Sequence, residues 1–168
     1  MPFFNSLFGP TKKEYTVEIA SSIMPSAAVG EILDGRLPQL NTDRLFLKKG
    51  EVCHYIDKSI LMKEKTKKSF SGMGVGVNVA GITLRQGFME PEELQYFEQI
   101  KGILYITSRR TIFEAKSNGF EKPHGSLTSL TSYTNAITMQ YGSTHYCLIV
   151  PNGAIAEDVY NIIHKKTL

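Results

Sequence analysis

Tryptophan is absent from the 168-residue chain, cysteine occurs twice, and no stretch reaches the roughly 20 consecutive apolar residues of a membrane-spanning helix. Two cysteines cannot complete a four-thiolate zinc site or a disulfide framework. Cys53 and Cys147 both lie in apolar, strand-like runs, so they are expected as buried thiols acting as small hydrophobes, with a lone disulfide or redox pair as the alternative. The opening Met1 to Pro10 is apolar but lacks the basic leader and long apolar core of a secretory signal. An arm packing on the body or on a neighbouring subunit is expected there, with a membrane-touching anchor as the other reading. A reducing cytoplasm is the expected compartment. Charge of one sign is also scarce: the net value of +3 falls short of the dense basic face of a nucleic-acid binder.

Catalytic signatures are missing as well. Cys53 and His54 are adjacent, and alternation along a strand sends neighbours to opposite faces, so they form no nucleophile–base pair. His145 and Cys147 share a face, but no third ligand accompanies them. No nucleophile elbow or HExxH occurs. The glycine-rich run from Gly72 to Gly81 continues into Ile82 and Thr83 rather than the Gly-Lys-Ser/Thr of a P-loop. No enzyme activity, cofactor or resident metal is expected.

What is present is β-type patterning. Tyr15, Val17 and Ile19 alternate with polar neighbours, and a short helix opens at Pro25, carries Ala28, Ile32 and Leu33 as its stripe, and ends at Gly35. A long strand is predicted from Gly50 to Lys68, with Val52, His54 and Ile56 on one face, Cys53, Tyr55 and Asp57 on the other, and a bend near Ile60 and Leu61. Met73, Val75, Val77 and Val79 alternate with glycine, which predicts a strand with one bare face; Ile82 to Phe88 is a further strand. Pro91 to Ile100 meets the local rules for a short helix: proline in the first turn, acids after it, and apolar residues three apart. Two strands around a turn at Ser108 to Arg110 follow, then a turn at Asn118-Gly119, strands at 126–132, 136–141 and 145–150, and a helix capped at Asn152 with Ile155, Val159 and Ile162 on one face. Consecutive strands closed by one helix predict a mainly β (α+β) domain: a curved antiparallel sheet or barrel.

The segment Gly102-Ile-Leu-Tyr-Ile-Thr-Ser-Arg-Arg-Thr-Ile-Phe113 resembles the central hairpin of the pleckstrin-homology and GRAM-like superfamily. Leu47-Lys-Lys-Gly-Glu-Val-Cys-His-Tyr-Ile56 is similar to the first strand of its bacterial and phage members, where a Lys-Gly-Glu turn leads into the barrel. The resemblance runs from about Leu45 to the end and implies a pleckstrin-homology-like barrel closed by the C-terminal helix. It divides the chain into an N-terminal extension, 1–41, with a strand and short helix, and a domain at 42–168. Within each hairpin strand Leu104 and Ile106 point one way, and Tyr105 and Thr107 the other.

The resemblance implies a binding module. Lipid-binding relatives hold an inositol phosphate on a lysine, a variable loop and a basic-x-Arg pair. Here Lys63, Lys65, Lys67, Lys68 and Arg85 flank the first strand connection, with Thr83 where the pair's first basic residue stands. They are the candidate anion- or lipid-binding residues, the other reading being a solvated strand edge. Arg109-Arg110 at the hairpin tip is open between ligand contact and a stem covering apolar surface. The first expectation is a protein partner or self-assembly into an oligomer through sheet edges or the extension; the second is an anionic surface.

Overall fold

The computed structural model describes residues 21–69 and 92–167, with side chains for 21–64 and 97–166. The predicted strands at 12–20, 72–81 and 82–88, and Arg85, lie outside the described residues. The order is α1 (Ser26–Leu33), β1 (Cys53–Ser69), β2 (Glu92–Thr107), β3 (Arg110–Ala115), β4 (Phe120–Pro123), β5 (Leu127–Tyr133), β6 (Ala136–Tyr141), β7 (Thr144–Ile149) and α2 (Gly153–Thr167). Every described ladder is antiparallel, and the strand order is β4-β3-β2-β1-β7-β6-β5. Seven antiparallel strands followed by a C-terminal helix make a mainly β domain of the kind the strand and helix order predicts. No helix among the described residues is long and apolar enough to cross a membrane.

Curvature follows from contacts between strands far apart in that order. Flat, β4 and β7 would stand about 19 Å apart at the usual strand spacing. Instead the Phe120 ring on β4 stacks on Tyr146 of β7 at 3.8 Å between centroids. Likewise Tyr141 Oη on β6 donates to Thr111 Oγ1 on β3 at 2.9 Å. The sheet therefore curls on itself, and Leu104, Ile106, Phe113, Ile137, Met139 and Leu148 fill its interior. Helix α2 seals one end with Ile155, Ala156, Val159, Tyr160 and Ile163, and Ile32 of α1 joins the same core.

The local rules explain most of the ends. Asn152 Oδ1 accepts the Ile155 N–H at 3.2 Å as the cap of α2. Gly35, at φ +76°, takes the left-handed conformation after α1, as its position predicts. In α1 the stripe is narrower than expected: Ala28 and Ile32 are buried, but Leu33 is 68% exposed.

Two expectations are corrected. The stretch predicted as a helix up to Ile100 belongs to β2, paired residue by residue with β1 from Ser69↔Glu92 to Leu61↔Ile100. Alternation sends Phe97 to an outer cluster with Ile60 and Met62, and Ile100 to the interior. A helix would have placed both on one side, with no ladder for the far half of β1. Secondly, β1 carries a register shift between Cys53 and Tyr55. This bulge puts Cys53 with Tyr105, Ile112 and Ile56 on the outer side, whereas Tyr55 faces the core, so the two do not share a face. The β1–β2 ladder continues without a break through Ile60 and Leu61.

Candidate functional site

The two segments that carry the resemblance lock onto each other. Glu51, 6% exposed, accepts from Arg110 Nε at 2.8 Å and from Arg110 Nη2 at 3.0 Å, a bidentate ion pair. The same carboxylate accepts from Thr107 Oγ1 at 2.6 Å and from the Lys48 N–H at 2.8 Å. Arg110 also donates to Glu121 at 2.6 Å and to the Phe46 carbonyl at 2.9 Å. Burial alone would raise the Glu51 carboxyl, but the hydrogen bonds from Arg110, Thr107 and Lys48 override it and hold it at about 2. Arg110 is thus a structural clamp with every face occupied; Arg109 is exposed at the tip.

Both thiols are buried and free. Burial pushes Cys53 to about 11 and Cys147 to about 12, so neither is a thiolate at neutral pH. Among the described residues no group of three or more His, Cys, Asp or Glu could hold a metal ion.

The concave surface lies at the end of the barrel opposite α2. Strand β1 pairs with β7 only at Ile60↔Ile149 and Leu61↔Leu148. Beyond that point Met62, Lys63 and Glu64 make no ladder pairs with Cys147, Tyr146 and His145. A cleft of about 760 Å³ opens in the gap. Its apolar floor is Leu61, Met62, Phe120, Met139 and Tyr146, and its rim carries Lys63, Asn118, Ser129, Gln140 and His145. Across the gap the two strands offer backbone edges with no ladder partner among the described residues, while their other edges pair with β2 and β6.

Of the lysines singled out above, Lys63 is the one whose side chain is described: it lines this cleft, is exposed at the rim and donates from Nζ to Asn118 Oδ1 at 2.5 Å. Lys65, Lys67 and Lys68 continue along β1 opposite Tyr96, Leu94 and Glu93, and Lys63 stands opposite Glu98. The cleft floor was not found from sequence. Its residues come from four separate strands, β1, β4, β6 and β7, and only the alternation in β6 and β7 hinted that Met139 and Tyr146 face one space.

No family model matches the chain, and no curated protein sequence matches it. Among solved structures it is similar to the "Vps36 N-terminal PH domain", at 13% identity and a TM-score of 0.46, with 78% of this chain and 92% of that chain covered.

Proposed function

We propose that the chain is a non-catalytic binding module that takes an extended segment of a protein partner, or of a second copy of itself, into the cleft between β1 and β7. One observation carries this reading: the β1–β7 ladder ends at Leu61 and Leu148, leaving around an apolar floor two backbone edges with no ladder partner among the described residues. An added strand gains main-chain hydrogen bonds from such edges and side-chain pockets from such a floor. Leu61, Met62, Phe120, Met139 and Tyr146 then read alternate side chains of the entering segment.

The test is affinity capture with the full chain alongside Thr138→Arg, which fills the cleft from a half-buried position on β6. A partner bound by the natural chain and lost with Thr138→Arg, but kept by Glu31→Arg on α1, supports the reading. Retention by Thr138→Arg overturns it. The self-assembly form is checked by light scattering, and a strict monomer at high concentration ends it.

The second reading is an anionic ligand held by Lys63, Lys65, Lys67, Lys68 and Arg85. The exposure of Lys63 at the cleft rim favours it. Salt-sensitive binding to anionic vesicles, lost when Lys63, Lys65 and Lys67 become Glu, is its expected signature.

A further inference from the structure

The outer face of the sheet carries a second groove, of about 580 Å³, which shares no lining residue with the cleft at the β1–β7 gap. Lys58 and Ile60 stand on one face of β1, and their partners Ile103 and Lys101 stand on the same face of β2. Glu114 pairs with Ile103 from β3, and Lys116 follows two residues on. Arg44, from the segment leading to β1, completes the rim. Arg44, Lys101 and Lys116 are exposed and Lys58 is half-buried. Among the described residues none of the four forms an ion pair. The one carboxylate among the described lining residues, Glu114, already accepts from Tyr105 Oη at 2.9 Å. The floor is apolar: Ile60, Ile103 and Ile149.

Four unpaired cations against one engaged carboxylate make the groove a complement for negative charge. The distribution of those cations selects among anions. They come from β1, β2, the residue just past β3 and the segment leading to β1 rather than from one point, so they suit a string of charges better than a single phosphate. Three of the four are point-charge lysines, without the bidentate forks that grip one phosphate. A flat bilayer surface does not reach the isoleucine floor of a concave groove, whereas a polypeptide fills it. We propose that this groove docks an extended acidic segment of a protein partner, its carboxylates meeting Arg44, Lys58, Lys101 and Lys116 and its small apolar side chains resting on Ile60 and Ile103. The proposal stands on this face alone and is independent of what enters the β1–β7 cleft.

The experiment uses the full chain and fluorescein-labelled poly-L-glutamate, read by fluorescence anisotropy across a salt series. Binding that weakens as salt rises is expected, because exposed charge pairs are screened. Lys101→Glu with Lys116→Glu weakens it by roughly tenfold or more. Lys49→Glu with Lys165→Glu, the same change of net charge away from the groove, leaves affinity near that of the natural chain. Absence of binding, or an equal loss in the two double variants, overturns the proposal. So does binding of phosphatidylserine-containing phosphatidylcholine vesicles through Lys101 and Lys116 in place of poly-L-glutamate. Should the Glu variant melt early, the Gln replacements at the same two positions decide between the same outcomes.

Discussion

Glu51 and Arg110 hold together the turn before β1 and the hairpin between β2 and β3. Removing one partner of a buried pair strands the other charge, which costs about 3–5 kcal/mol. Glu51→Gln is expected to lower unfolding free energy by that order in urea titrations at pH 7, since Arg110 keeps only the more exposed Glu121 and a carbonyl. The penalty shrinks as pH falls. Because the folded Glu51 sits near 2, below its unfolded value of about 4.3, its contribution is full above the unfolded value and fades towards pH 2. The difference between the two proteins therefore narrows on acidification. Gly102, the first residue of the resembling motif, has a packing reason to be glycine. A Cβ there would run into the Glu114 carbonyl oxygen and lie 2.7 Å from Cζ of the Phe113 ring. Gly102→Ala is expected to cost about 1–3 kcal/mol, measured by the shift of the urea midpoint, because the obstacle is backbone rather than a flexible tip.

Among the elements, the helices were the most legible. Pro25, Gly35 and Asn152 each act through a local rule that needs no partner, and both helices stand close to where those residues put them. Asn152→Ala accordingly predicts a loss of about 1 kcal/mol from α2 in the same titrations. The strands of the 102–149 region other than β4 were legible too, since alternation and turn residues at Asn118 and Gly142 agree, and both take positive φ. β2 was not. Its first half has helix-compatible composition, and only the long ladder with β1 makes it a strand; a backbone pairing across tens of residues leaves no mark on local spacing. The bulge at His54 escaped for a similar reason: one inserted residue reverses the faces of β1, and nothing in Cys53-His54-Tyr55 announces it.

For the molecule as a whole, two histidines at the α2 end, His54 buried and His124 half-buried, tie stability to pH. His54 Nδ1–H donates to the Pro38 carbonyl at 2.7 Å, and His124 Nε2–H donates to that of Thr107 at 2.7 Å. Burial lowers both below the ordinary imidazole value, outweighing the hydrogen bonds that favour the charged forms. His124 Nδ1 is buried without a hydrogen-bond partner, so a proton added there finds no acceptor. A lowered folded value means that the unfolded chain takes up protons first as pH falls. Stability is then full above about pH 6.5 and declines below it, with the Glu51 loss following in stronger acid. Thermal melts from pH 8 to pH 3 check this, and a flat melting temperature between pH 7 and pH 5 would contradict it. By itself the sequence determined the turns, the caps, both helices, the buried thiols and the β character of the second half, because each rests on residues within a few positions of one another. The tertiary structure alone decided the curl that brings Phe120 onto Tyr146, the clamp joining Glu51 to Arg110, the gap between β1 and β7 and the basic groove across β1, β2 and β3. Those features are made where distant segments meet, and the chemistry of a meeting place is set by geometry that no single segment encodes.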